Sequence, residues 1–210
     1  MKTAEVSNRR KIGRPLSFNP DQALDQAIRL FWKHGYESTS ISHLTAAMGV
    51  TAPSLYAAFG DKRALFMAAL QRYLGTPITA EALIANAATA RDAAIELLTN
   101  SALAFTGEHT PPGCLLATAT ASCSAASAEV QKALAEIRRG FGRQLRDKIQ
   151  ADMANGRLPT GTEAETLSGH VMAVIQGMSS LARDGASRQS LLAIAGSALQ
   201  AWPSQERQPA

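Results

Sequence analysis

From Pro20 onward the apolar positions follow a helical period. Ala23, Leu24, Ala27, Ile28, Phe31 and Trp32 recur at three- and four-residue steps, which predicts an amphipathic helix. Asn19 suits its N-cap, Pro20 its first turn and Asp21 the positive end of its dipole, and Gly35 ends it near His34. Thr39 or Ser40 caps a short helix with Ile41, Leu44 and Ala47 or Met48 inward, and Gly49 stops it. Thr51 caps a second short helix, Ala52 to Phe59, closed by Gly60. Asp61 caps a further helix, Lys62 to Leu74, whose inner face is Leu65, Phe66, Ala69, Leu70 and Tyr73. Beyond Gly75 helices are expected near 80–88, 91–106, 114–125, 128–154, 162–184 and 187–202. Breaks fall at Thr76-Pro77, Pro111-Pro112-Gly113, Gly156 to Gly161 and Gly185. No alternation of β-branched residues predicts a strand, so the fold class is all-α.

Charge divides this helical chain unevenly. The formal net charge is +4, but residues 1–75 hold ten bases and five acids, while residues 76–210 hold eleven bases and twelve acids. Eight of the eleven aromatic residues also precede residue 76. The expected division is a flexible basic arm over 1–18, a basic and aromatic unit over 19–75, and a neutral, alanine-rich unit over 76–210. Residues 1–19 alone carry five bases and one acid, so the arm holds the whole net charge. Pro203 to Ala210 is expected to fray. Nothing reaches about 18 consecutive apolar residues, so no membrane span is expected. The basic N-terminus lacks the apolar stretch of a secretory signal, and a cytoplasmic location is expected. Cys114 and Cys123, nine residues apart, would face opposite sides of one helix, which argues against a bridge or a shared metal.

Two short helices joined by a tight glycine turn and braced by longer helices make a helix-turn-helix. Gly49 supplies the positive φ that the turn needs, and Leu44, Val50 and Leu55 are spaced to meet inside the angle. The second short helix then leaves Ala52, Pro53, Ser54, Tyr56 and Ala57 on the side that would face base edges and phosphates in a major groove. The stretch GYESTSISHLTAAMGV followed by SLYAAFGDKRALF, within residues 13–74, resembles the DNA-binding domain of TetR/AcrR-family transcriptional regulators. Two positions depart from the common pattern: Thr45 replaces a frequent Ala, and Ala58 replaces a polar residue that often contacts DNA.

The resemblance implies an N-terminal three-helix helix-turn-helix domain followed by a C-terminal helical bundle for ligand binding and dimerisation. It implies that Tyr56 lies against a phosphate with its hydroxyl as donor, and that Lys62 makes a second phosphate contact. Thr39 and Thr51 would offer hydroxyls and N–H groups at helix N-termini. Ser54 and the apolar Ala52, Pro53 and Ala57 would approach base edges. Arg9, Arg10, Lys11 and Arg14 of the arm would follow the backbone or enter a minor groove.

One recognition helix reads few base pairs, so a symmetric homodimer on a palindromic operator is expected. An apolar stripe over Leu167, Val171, Val174, Ile175, Met178 and Leu181 lies beside Gly169, Ala173 and Gly177, small residues that admit a second helix closely. The next segment adds Leu191, Leu192, Ala195, Ala198, Leu199 and Trp202. Family members pair their last two long helices across the dimer. The candidate interface is therefore Gly169, Ala173, Val174, Gly177, Leu181, Leu191, Ala195, Leu199 and Trp202. Helices between 80 and about 154 could enclose a pocket for an unknown small-molecule effector, with Phe105, Cys114, Leu115, Phe141 and Met178 as candidate lining. Cys114 reads either as a small buried hydrophobe or as a reactive thiol at a helix N-terminus. No nucleophile–base–carboxylate grouping, phosphate loop or metal-ligand cluster is evident. Neither catalytic residues, cofactors nor metals are expected, and a helical enzyme is disfavoured. The leading function is a repressor released from its operator by the effector; an activator or an effector-independent DNA binder is the alternative.

Overall fold

A computed structural model describes residues 18–75, 78–119 and 127–203. The expectations for the arm, including Arg9, Arg10, Lys11 and Arg14, lie outside the described residues, as do those for Thr76-Pro77, Cys123 and the chain after Pro203. The elements in chain order are α1 (Pro20–His34), α2 (Ile41–Met48), α3 (Ala52–Phe59), α4 (Lys62–Leu74), α5 (Ala80–Asn86), α6 (Ala90–Phe105), α7 (Leu115–Thr118), α8 (Ala128–Ala154), α9 (Ala164–Arg183) and α10 (Arg188–Ala198). A 3-10 turn over Leu199–Ala201 follows, and the described residues contain no strand. The structure describes α7 as only Leu115–Thr118, well inside the helix expected over 114–125.

Caps set the ends of the first four helices. Asn19 Oδ1 accepts from the N–H groups of Asp21 and Gln22 at 2.9 and 3.3 Å. Ser40, rather than Thr39, caps α2 by accepting from the His43 N–H at 3.1 Å. Thr51 and Asp61 do the same for α3 and α4 through Ser54 and Ala64. Gly49 takes φ 65° and ψ 33°, the left-handed conformation that turns α2 into α3. Leu44 and Leu55 are fully buried in the angle, with Val50 packed against them.

Two cores hold the chain, and the first does not stop at Gly75. The first joins Phe31, Tyr36, Phe66 and Leu70 of the N-terminal helices to Leu115, Leu116, Val130, Leu134 and Phe141 of α7 and α8. Phe31 and Phe66 meet edge to face at 5.0 Å, a favoured aromatic geometry. The second core runs through α5, α6, the end of α8, α9 and α10. Buried Asp152 ties two of these together: one oxygen accepts from the Ala90 N–H at the start of α6 (2.7 Å), the other from Arg157 (3.1 Å).

Candidate DNA interface and effector cavity

Helix α3 stands at the surface on the side away from Leu55. Thr51, Pro53, Tyr56 and Ala57 are exposed, and Ala52 and Ser54 are half-buried. Tyr56 is 48% exposed, far too open for a core tyrosine. Its phenol joins the hydroxyls of Thr51 and Ser54, 2.9 Å apart, as the hydrogen-bonding groups of an otherwise apolar face. Such a face suits phosphate oxygens at its edges and thymine methyls at its centre.

Two expected DNA contacts sit differently. Thr39 is fully buried, and its hydroxyl donates to the Gly35 carbonyl at 2.7 Å. That hydroxyl closes the turn before α2 and does not face a phosphate; Ser40 occupies the helix end. Lys62 is half-buried, with its ammonium 4.6 Å from the centre of the Tyr36 ring and donating to the Glu37 carbonyl at 3.1 Å. Burial lowers its pKa, with Glu37 opposing. Lys62 therefore anchors α4 to the turn after α1 while keeping further N–H groups for a phosphate.

Behind this domain lies a cavity of ≈ 710 Å³. Phe105, Cys114 and Phe141 line it. Leu115 and Met178 do not: Leu115 is buried in the first core and Met178 in the second. Their helix faces point at neighbouring helices, which periodicity alone could not reveal. Trp32, Tyr73 and Arg138 also line the cavity, although the sequence offered no signal beyond their places on amphipathic helices. Burial first, then Cys114, holds the Tyr73 phenol well above its ordinary pKa. Cys114 is half-buried, with Sγ 3.8 Å from the Tyr73 hydroxyl and its own N–H donating to Ser179 Oγ at 2.8 Å. Among the described residues no cluster of three or more His, Cys, Asp or Glu is placed to hold a metal.

The cavity wall is also the joint between the two halves. The Trp32 indole N–H donates to the Gly113 carbonyl at 3.1 Å, and the Tyr36 N–H donates to the Ala119 carbonyl at 3.1 Å. Arg183 donates to the Trp32 carbonyl at 3.4 Å. Ser127 bonds the Glu37 carboxylate, and Arg63 of α4 pairs with Glu129 of α8.

Of the proposed dimer residues, Gly169, Ala173, Gly177 and Leu181 lie exposed on α9, while Val174 and Leu199 are half-buried. Leu191, Ala195 and Trp202 belong instead to the core of their own chain, because α10 packs that face onto α6 and α9. Leu192, 37% exposed, faces outward in their place. Among the described residues no helix is long and apolar enough to cross a membrane.

Residues 23–69 match the family of bacterial regulatory proteins called the tetR family, and residues 92–193 match the tetracyclin repressor-like C-terminal domain. The chain is 37% identical over 193 residues to the HTH-type transcriptional repressor ComR of Escherichia coli (strain K12), covering 91% of this chain and 92% of that one. The HTH-type transcriptional repressor BdcR of the same organism is 45% identical over 64 residues, 30% of this chain and 32% of its own. Among solved structures, a cysteine mutant of the TetR family transcriptional regulator CifR, complexed with 26bp double-strand operator DNA, superposes with a TM-score of 0.85. It is 38% identical, over 90% of this chain and all of that one. With its helix-turn-helix, its helical C-terminal bundle and these relatives, the chain belongs to the tetR family of bacterial regulatory proteins and is a DNA-binding transcription regulator.

Proposed function

We propose that the protein is a cytoplasmic, homodimeric repressor that a small molecule releases from a palindromic operator. In this reading residues 19–75 bind DNA, and residues 76–210 bind the effector and pair the subunits. It acts by occupancy of DNA, not by catalysis. The carrying observation is the shared wall: Trp32 of α1 and Tyr73 of α4 line the cavity, and these same helices brace α2 and α3. An occupant that shifts α7 would pull on Trp32 through Gly113 and on Tyr36 through Ala119. Release then requires tighter binding of the effector to the spacing of recognition helices that fits DNA poorly. The names of ComR and BdcR as repressors support the sign of regulation.

DNA contact is assigned to Thr51, Ala52, Pro53, Ser54, Tyr56, Ala57 and Lys62, with Arg14 and the rest of the arm supplying sequence-independent attraction. Pairing is assigned to the exposed small face of α9. Salt titration of operator binding tests the reading, since phosphate neutralisation gives a steep fall of affinity with salt. Tyr56→Phe should weaken operator binding about tenfold, the loss of one hydrogen bond to a charged oxygen, with thermal unfolding unchanged. Affinity indifferent to both salt and this substitution would overturn it.

A further inference from the structure

Among the described residues the cavity is lined by one cation and no anion. Arg138 projects from α8 into a wall that is otherwise mostly apolar, and no Asp or Glu among the described residues lines the cavity. Its guanidinium donates to the Leu116 carbonyl and has no carboxylate partner among the described residues. A guanidinium carries five N–H donors in a planar fork, so one carbonyl leaves others free for water or a ligand. Burial chiefly lowers the pKa of Arg138, with Cys114 opposing and the like charge of Arg139 adding to the fall. Beside it the half-buried Tyr73 has its hydroxyl 3.8 Å from the thiol of Cys114, a weak partner for a phenol.

We propose that the cavity takes an amphipathic carboxylate: an apolar body between α5, α6 and α9, with its carboxylate paired to Arg138 and accepting from the Tyr73 hydroxyl. Arginine and a carboxylate match in bidentate geometry, and the pair is stronger where water is excluded. The volume of ≈ 710 Å³ lies within the range of small-molecule sites. Leu83, Leu97, Phe105, Phe141 and Ile175 supply the apolar wall. The carboxylate would bear directly on Leu116, whose carbonyl Arg138 holds, and so on α7. The assignment rests on the effector reading above for its consequence, but not for the binding itself.

Three ten-carbon probes separate head group from tail: decanoate, decanol and decylamine, titrated below micelle formation into the full-length protein. Trp32 lines the cavity and reports occupancy by fluorescence. Decanoate should bind at least about tenfold more tightly than decanol, with decylamine weakest. Arg138→Gln, which keeps a donor for the Leu116 carbonyl, should erase the preference for decanoate; Arg138→Lys should retain part of it. Tyr73→Phe should weaken decanoate and leave decanol unchanged. Circular dichroism and operator binding of each variant check that it folds. Equal affinities for the three probes, a preference that survives Arg138→Gln, or no binding of any probe would overturn the proposal. Operator release is measured separately by anisotropy. Arg138-dependent decanoate binding without release would leave the site standing and sink the effector reading. Release by a neutral compound with no decanoate preference would do the reverse.

Discussion

Thr39 carries its hydroxyl inward, where it donates to the Gly35 carbonyl and holds the turn between α1 and α2. Thr39→Val keeps the shape and leaves that carbonyl without its donor, so chemical denaturation should show a loss of about 1 kcal/mol. If Thr39 faced a phosphate instead, the substitution would weaken DNA binding and leave stability alone. The half-buried Tyr73 carries a second hydroxyl with a measurable consequence. Its folded pKa lies well above the ordinary 10.0, chiefly through burial. Above pH 10 the unfolded chain releases a proton that the folded state keeps. The contribution is therefore complete below about pH 10 and is lost as pH rises beyond it. Melting temperatures between about pH 8 and 11 should fall more steeply for the native protein than for Tyr73→Phe. Parallel curves would show that the phenol is not buried as described.

At the scale of elements, the joint between the halves depends on one glycine. Gly113 has φ 81°, and a Cβ there would lie 2.8 Å from the Ser179 carbonyl oxygen of α9. Gly49 also has positive φ but open space around it. Gly49→Ala should cost only the left-handed strain, about 1–2 kcal/mol. Gly113→Ala must add the displacement of α9, so its unfolding midpoint should fall further. It should also disturb the Trp32 contact and with it the response of operator binding to cavity occupants. Equal destabilisation of the two variants would mean that the close approach of α9 to Gly113 is not retained. The caps at Asn19, Thr51 and Asp61 and the glycine at 49 were legible in the sequence because each acts within four residues. The Trp32–Gly113 contact, 81 residues apart, has no local signature.

For the whole molecule, the question is which helical faces are left for a second copy. A Cβ added at Gly169 or Gly177 would meet nothing within 4 Å, so the chain itself does not require glycine there. Gly177→Arg should leave the monomer as stable as before, or up to about 1 kcal/mol more stable through better helix propensity. A partner helix packed against that face would have no room for the side chain. Sedimentation should then show dissociation to monomer with native helicity and weakened operator affinity. An unchanged dimer would move the interface away from this part of α9.

The sequence by itself determined the all-helical class, the ends of the first four helices to within a residue and the helix-turn-helix, because caps, turn glycines and a 3.6-residue period are local physics. It also disclosed the exposed α3 face and the small residues of α9. Only the tertiary structure decided how amphipathic faces pair. A period says that Leu191, Ala195 and Trp202 share a buried side, but not whether their own chain or another buries them; here their own core does. The same reason explains Leu115 and Met178, which turned from the cavity into the cores, and Trp32, Tyr73 and Arg138, which turned into it. Helices from distant parts of the chain built the cavity against the braces of the DNA-binding domain.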